Sequence, residues 1–291
     1  MKTYHDCIPC FVRQSLEASR LVTGDKSLHE RVLRDMLKKI SEMDLDQPPP
    51  LMGREIHRKI RELTGSDDPY SVVKAEYNAF ALGMYDEMKN RVKKSKDPFA
   101  TAMRLAVAGN IIDFGVASDL DKSYVRRVIE DSLTGPLHGD PDHLEQAARK
   151  ARHILYLGDN AGEILFDRIL IEELPADRVV FAVRGGPVIN DATMEDADAV
   201  GLSELVEVID NGTDLPGTFL PECSDKFLRQ FEKADLVISK GQGNYETLSG
   251  SGAEDKVVFL FKVKCEVVAS DTHCEKGTAV ALPGNVAGGK E

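Results

Sequence analysis

Three short stretches of this chain place oxygen or amine side chains directly after an apolar run. They are Gly158-Asp159-Asn160-Ala161-Gly162-Glu163, Asn190-Asp191-Ala192-Thr193 and Lys240-Gly241-Gln242-Gly243-Asn244. Each lies where a buried strand would give way to a helix, and in open parallel sheets ligands bind at the carboxyl ends of the strands. Hard oxygen ligands and a glycine-flanked lysine at one such edge indicate a divalent cation and a phosphate, and therefore an enzyme.

Asp159 and Asn160 are the first candidate metal ligands. A carboxylate beside an amide oxygen suits magnesium, which takes one or two protein carboxylates and keeps positions for water and phosphate. Asp191, after the next predicted strand, would supply a second carboxylate to the same cation. The alternative is that these residues only cap the following helices, and each stretch taken alone favours capping. Glu163 falls in the first turn of the helix after Asp159.

The candidate phosphate-binding residues are Lys240, Gly241, Asn244 and Arg184. Flexible backbone N–H groups before a helix and a compact ammonium can bind an anion, although the lysine precedes the glycines and this is not a Walker loop. Arg184 offers a guanidinium suited to bidentate phosphate binding, or is an ordinary surface arginine. The dinucleotide signature Gly-x-Gly-x-x-Gly is absent after the first predicted strand, which argues against a dehydrogenase.

Four of the five cysteines lie near the ends of the chain. Cys7 and Cys10 form a Cys-x-x-Cys pair, and Cys265 and Cys274 lie near the other end, so a fold that brings the ends together could build a zinc or iron–sulfur site. The alternative is reduced thiols that pack as small apolar groups. An odd number of cysteines does not indicate a disulfide framework.

The spacing of apolar residues changes about halfway along the chain. Helical spacing recurs over 28–40, 51–63, 70–92 and 98–111, whereas short apolar runs at 153–157, 179–184, 205–210, 235–240 and 256–263 alternate with helical stretches. Such alternation is typical of a parallel sheet covered on both faces. We predict an all-α domain over residues 1–150, without strands, and a Rossmann-like three-layer α/β/α domain with a mostly parallel sheet over residues 151–291.

Composition limits the partners and the location. The formal net charge of −12 argues against binding to nucleic acid or to an anionic membrane. No apolar run approaches the roughly 18 residues of a membrane span, and the first residues show no apolar signal region. We therefore expect a cytoplasmic protein. An acidic protein can still bind a small phosphorylated metabolite, the partner that the strand-end clusters indicate, if the charge of the site itself is positive.

The strand-end clusters together resemble the domain-of-unknown-function 89 family, which consists of metal-dependent phosphatases that remove damaged or unwanted phosphometabolites. Two further segments resemble that family: Asp68-Pro69-Tyr70 with Lys74 and Asn78, and Gly109-Asn110-Ile111-Ile112-Asp113. The Cys-x-x-Cys pair and Lys264-Cys265 resemble its prokaryotic-type branch, in which the cysteines are suspected of binding a metal.

The resemblance implies a helical domain joined to a Rossmann-like domain and assigns roles to individual residues. Asp159, Asn160 and Asp191 would hold magnesium or manganese, or else cobalt or nickel, and Lys240 with its glycine turn would bind phosphoryl oxygens. Asn110 and Asp113 would close the site from the helical domain; their spacing of three puts them on one helix face, but also suits a helix end followed by a turn.

Phosphate ester hydrolysis requires neutralisation of negative charge and an attacking water in line with the leaving group. Asp191, Asp113 and Glu163 all remain candidates for orienting that water or protonating the leaving oxygen. Two other functions stay open from sequence: an S-adenosylmethionine-dependent carboxyl methyltransferase, and a non-catalytic phosphometabolite-binding protein. The usual glycine-rich loop of that methyltransferase cofactor is missing at Gly158-Asp159-Asn160.

Overall fold

The computed structural model describes residues 1–111 and 122–284, and it contains a seven-stranded sheet in the order β1-β7-β6-β5-β2-β3-β4. The strands are β1 (Leu137–Gly139), β2 (Ile154–Leu157), β3 (Val179–Val183), β4 (Glu207–Asp210), β5 (Leu236–Lys240), β6 (Val257–Lys262) and β7 (Ala279–Pro283). All neighbouring pairs run parallel except β6 and β7. The predicted mixed α/β fold with a mostly parallel sheet is confirmed.

The chain winds the sheet in two directions from its centre. From β2 it moves outward to β3 and β4, and it then returns to place β5 on the other side of β2, followed by β6. The carboxyl ends of β2 and β5 therefore border the point at which the winding direction changes, where open α/β sheets bind ligands.

Helices fill the N-terminal half and cover the sheet. They are α1 (Cys7–Val22), α2 (Lys26–Ser41), α3 (Pro49–Thr64), α4 (Ser71–Leu82), α5 (Tyr85–Lys94), α6 (Pro98–Ile111), α7 (Lys122–Thr134), α8 (Pro141–Lys150), α9 (Glu163–Ile171), α10 (Met194–Ala199), α11 (Asp225–Lys233), α12 (Gln242–Leu248) and α13 (Glu266–Thr272). Several boundaries follow from local chemistry. The Asp25 carboxylate accepts a hydrogen bond from the N–H of Ser27 at the start of α2, and Gly65 ends α3 in a left-handed conformation.

Two sequence-based expectations about elements were wrong. The helix predicted over 70–92 is split into α4 and α5, because Gly83 and Met84 form a turn between them. The three-residue strand β1 lies before residue 153, where no strand was expected. It is too short and too exposed to show an apolar pattern, and it is held in the sheet by pairing with β7.

The apolar cores do not divide at residue 150. Helices α1 to α3 enclose a core of their own around Val32, Ile56 and Ile60. The buried residues of α4 to α6, by contrast, share one continuous core with α9 and one face of the sheet, and residues of α11 and α13 pack in a core with the other face. The division into domains at residue 150 stays a prediction.

Within residues 1–111 and 122–284, the helices are all too short or too polar to cross a lipid bilayer.

Candidate active site

The loops after β2 and β3 are joined at the edge of the sheet. Asn160 and Asp191 form an isolated antiparallel bridge, in which the N–H of Ala192 donates to the carbonyl of Asp159 and the N–H of Ala161 donates to the carbonyl of Asn190, both at 2.8 Å. This pairing delays the start of α10 to Met194, so Asp191 is held in a loop beside Asp159 instead of in a helix. The structure thus brings the three predicted metal ligands to one place.

Arg184 lies between the two aspartates and is only 2% exposed. Its Nε donates to Asp191 Oδ2 at 2.6 Å, its Nη2 to Asp159 Oδ1 at 3.3 Å and its Nη1 to Asn244 Oδ1 at 3.1 Å. The guanidinium is thus used on three side chains, two from the loops after β2 and β3 and one from α12. Arg184 is a buried counter-charge of the site and not a surface arginine.

The two aspartates are strongly desolvated. Burial, followed by the charges of Glu163 and Asp191, raises the pKa of Asp159 to about 8 despite the opposing effect of Arg184. Burial also raises the pKa of Asp191, with Arg184 again opposing. Burial and the neighbouring carboxylates therefore disfavour the ionised form of both groups.

Lys240, at the end of β5, is completely buried, and its side chain lies in the core beneath the carboxyl edge of the sheet. Its ammonium donates to Glu163 Oε1 at 2.6 Å and to the carbonyl of Ala106 at 2.9 Å, and it lies 2.7 Å from Asp167 Oδ1. Its three N–H groups therefore have three acceptors in the protein, and the charges of Asp167 and Glu163 raise its pKa against the effect of burial. Direct binding of Lys240 to phosphoryl oxygens stays a prediction.

Asn160 connects these two groups of charges. Its Nδ2 donates to Asp159 Oδ2 at 2.8 Å and to Glu163 Oε2 at 2.7 Å. An amide nitrogen has two hydrogens, so both are used, and the orientation of the amide is set by two carboxylates.

The turn after β5 packs against Asp159. Gly241 has φ +81° and ψ 156°, and a Cβ on it would lie 2.0 Å from Asp159 Oδ2, so the position requires glycine. Asn244 accepts from Arg184 and from the Thr218 hydroxyl (2.8 Å), and donates to the carbonyls of Gly158 and Lys240 at 3.2 and 2.7 Å. In this structure Asn244 ties three loops together; substrate binding by Gly241 and Asn244 stays a prediction.

The end of α6 reaches the same edge. Gly109 lies so close to α9 that a Cβ on it would be 3.1 Å from Glu163 Cγ, and α6 also supplies the carbonyl of Ala106 to Lys240. Asn110 belongs to the last turn of α6, but its side chain and the whole of Asp113 lie outside the residues that the structure describes. Their predicted roles stay predictions.

A family model for the damage-control phosphatase ARMT1-like domain matches residues 3–280. The chain belongs to this family.

Three relatives match this chain over almost their whole length. The chain is 35% identical to the damage-control phosphatase PH1575 of Pyrococcus horikoshii, over 97% of this chain and 98% of the relative. It is 32% identical to a damage-control phosphatase of Archaeoglobus fulgidus, over 97% and 99% of the two chains. The uncharacterized protein MJ0202 of Methanocaldococcus jannaschii is 34% identical, over 97% of this chain and 95% of the relative.

The fold of this ARMT1-like chain also matches a crystal structure. The DUF89 family protein PH1575 from Pyrococcus horikoshii superposes with a TM-score of 0.89 at 34% identity, over 98% of this chain and 99% of that one. The resemblance to the domain-of-unknown-function 89 family is confirmed.

Three cysteines of this ARMT1-like chain, Cys7, Cys10 and Cys265, lie close enough to interact electrostatically but do not form a ready-made metal site. The pKa of Cys7 is raised by burial and also by the charges of Cys265 and Cys10, while Cys265 and Cys274 pack against the same core. In the described parts of the chain, however, no three His, Cys, Asp or Glu side chains are grouped so as to hold a metal ion. A sulfur-bound metal at Cys7, Cys10, Cys265 and Cys274 stays a prediction.

Sequence reasoning missed two parts of the site. Asp167 and Tyr156 lie below Lys240 and look like ordinary members of a helix and a buried strand, so no sequence signal marks them. Asn78 was noticed only as part of a motif. Its Oδ1 accepts from the N–H of Gly162 at 2.7 Å and its Nδ2 donates to Asp196 Oδ1 at 2.8 Å, so α4 supports the turn that carries Asn160.

Proposed function

We propose that this protein is a metal-dependent phosphatase that hydrolyses small phosphorylated metabolites, such as sugar phosphates or related damaged metabolites. The names of the relatives support a phosphatase. The charge balance of the site supports the metal, and the position of the site at the winding change of the sheet supports a small-molecule substrate.

The proposal of a bound metal ion rests on an imbalance of buried charge. Among the described residues, four buried carboxylates (Asp159, Glu163, Asp167 and Asp191) contact two buried cations (Arg184 and Lys240), so the formal charges of these six groups sum to −2 when all are ionised. Isolated buried charges cost several kcal/mol each, on the order of a folded protein's total stability. A divalent cation would compensate them.

The residues at the edge fit such a cation. Asp159 and Asp191 would supply carboxylates and Asn160 its amide oxygen, a set that suits Mg²⁺ or Mn²⁺ and keeps positions for water and substrate; Co²⁺ and Ni²⁺ are the further candidates. When bound, the ion would act as a Lewis acid on the phosphoryl group and neutralise part of its charge.

The other charged and polar side chains of the site would bind the phosphoryl group or hold its neighbours in place. Arg184 presents a positive charge that is already desolvated, and exchange of a carboxylate partner for a phosphoryl oxygen would keep its bonds satisfied. Lys240 neutralises Glu163 from below and thereby fixes it against Asn160. Asn244 holds Arg184 in place. Because these groups are fixed before substrate arrives, little reorganisation is needed when charge develops on the phosphoryl oxygens.

Phosphate release from p-nitrophenyl phosphate and a panel of sugar phosphates tests the proposal. Protein treated with EDTA is expected to be inactive and to regain activity with Mg²⁺, Mn²⁺, Co²⁺ or Ni²⁺. Asp159→Ala and Asp191→Ala are each expected to lower metal-dependent kcat/KM by at least about a hundredfold, because even partners of metal ligands are worth 10- to 100-fold.

Asp235→Asn is the matched control. The Asp235 carboxylate accepts hydrogen bonds from the backbone N–H groups of Arg152 and His153 at the opposite end of β2. Its replacement therefore leaves the proposed site intact. Activity that survives EDTA, or that persists in both aspartate variants, would refute the metal-dependent phosphatase. Metal-independent methyl transfer from S-adenosylmethionine, or binding of sugar phosphates without turnover, would replace it with one of the two alternative functions.

A further inference from the structure

A buried chain of hydrogen bonds leads from the core of the sheet to Asn160. The Tyr156 hydroxyl donates to Asp167 Oδ1 at 2.8 Å, and the Lys240 ammonium lies 2.7 Å from the same oxygen. Lys240 also donates to Glu163 Oε1 at 2.6 Å, and Asn160 Nδ2 donates to Glu163 Oε2 at 2.7 Å. Each member thus fixes the next.

At the upper end, the chain determines which atom of Asn160 faces the proposed cation. A metal can bind the amide of asparagine only through its oxygen, and both hydrogens of the Asn160 amide nitrogen are taken by Glu163 and Asp159. Rotation of the amide by half a turn would place its oxygen against two carboxylates. The contact with Glu163 therefore keeps the amide oxygen available, as outer partners of metal ligands commonly do.

At the lower end of the chain of hydrogen bonds, Asp167 does not serve the stability of the folded protein. It is completely buried, its Oδ2 has no hydrogen-bond partner within the described part of the chain, and burial raises its pKa to about 6. A buried carboxylate with one bare oxygen costs free energy, whereas an apolar side chain would fill the same place at no such cost. What it provides is position, because it holds the Lys240 ammonium below Glu163.

We infer that Asp167 and Tyr156 are positioning residues of the cation site, which act through Lys240 and Glu163 to hold the amide of Asn160 with its oxygen toward the ion. The inference rests on the cation of the proposed function. It assigns a role to two residues that touch neither metal nor substrate.

Titration of metal-free protein with Mn²⁺, followed by electron paramagnetic resonance of the free ion, tests it without reference to activity. Asp167→Asn is expected to weaken Mn²⁺ binding about tenfold or more, and Tyr156→Phe about threefold, within or just below the range for outer partners of metal ligands. Tyr156→Phe removes no ionised group and keeps the ring that stacks on Phe181 with centroids 5.3 Å apart, so its effect reports the loss of one hydrogen bond to Asp167.

The control is a second tyrosine–aspartate pair. The Tyr245 hydroxyl donates to Asp271 Oδ2 at 2.5 Å, and Asp271 lies in α13, away from the chain of hydrogen bonds. Asp271→Asn is expected to bind Mn²⁺ like the unmodified protein, with any loss confined to the thermal midpoint of unfolding.

The outcomes separate the two proposals. Mn²⁺ binding by Tyr156→Phe that equals that of the unmodified protein overturns the positioning role and leaves the phosphatase in place, and Tyr156→Phe decides the matter alone if Asp167→Asn does not fold. Weakening of the same size in Asp271→Asn overturns it as well, because the effect is then a general loss of stability. Failure of the unmodified protein to bind Mn²⁺ overturns both.

Discussion

Substitution of Gly241 by alanine separates backbone strain from distortion of the site. Gly241 has φ +81° and ψ 156°, a conformation that costs other residues about 1–3 kcal/mol. The added methyl would also lie 2.0 Å from Asp159 Oδ2 and 2.2 Å from its Cγ, so the carboxylate must move.

The free-energy cost of moving the Asp159 carboxylate follows from its hydrogen bonds. The carboxylate accepts from Asn160 at 2.8 Å and from Arg184 at 3.3 Å, and hydrogen bonds to charged groups contribute about 1.5–3 kcal/mol each. Loss of one of these bonds in addition to the strain gives an expected destabilisation of about 2.5–6 kcal/mol for Gly241→Ala.

Gly252→Ala is the matched control. Gly252 has φ +80° but no atom within 4 Å of the position of its Cβ, so the same substitution there adds strain without a clash. The free energies of unfolding of the two variants in urea are expected to differ by about 1.5–3 kcal/mol, and Gly241→Ala alone should lose Mn²⁺ affinity. Equal stability and equal Mn²⁺ binding in the two variants would show that the turn after β5 does not press on Asp159.

Two further substitutions test the buried charges and the support from α4. Lys240→Met is expected to lower the free energy of unfolding by about 3–5 kcal/mol at pH 8, because buried carboxylates lose their cation. The loss should shrink toward pH 5: the pKa of Asp167 is about 6 even beside Lys240, and a carboxyl with a higher pKa in the folded than in the unfolded protein makes stability fall as pH rises. Urea unfolding with a pH-independent difference would contradict this. Asn78→Leu leaves a buried N–H group of Gly162 without its acceptor and should cost about 1–3 kcal/mol in urea unfolding; a change below about 0.5 kcal/mol, as at ordinary surface positions, would show that α4 does not support the turn.

The sequence was sufficient to locate the edge of the sheet at which the site lies. Parallel strands end on the same side, so polar residues after separate strands could be expected to meet, and Asp159, Asn160 and Asp191 do meet there. Fold class followed from the same alternation of short apolar runs and helices.

The direction of individual side chains could not be read in this way. The sequence leaves open whether Arg184 binds phosphate or lies on the surface, and the structure buries it between two carboxylates. Nothing in the sequence indicates that the ammonium of Lys240 contacts Glu163 and Asp167. Such orientations depend on which loops meet in three dimensions, and local patterns carry no information about those distances.

The shared core has a consequence for the order of events during synthesis. Helices α4 to α6 are synthesised before the strands of the sheet that they cover, and β1 pairs with β7, which follows the other six described strands in the chain. Domains usually fold as units while the chain grows, but the apolar faces of these helices stay exposed until the strands that they cover have been synthesised. Dependence on chaperones in the cell is the expected consequence of a core that is shared between the two halves of the polypeptide.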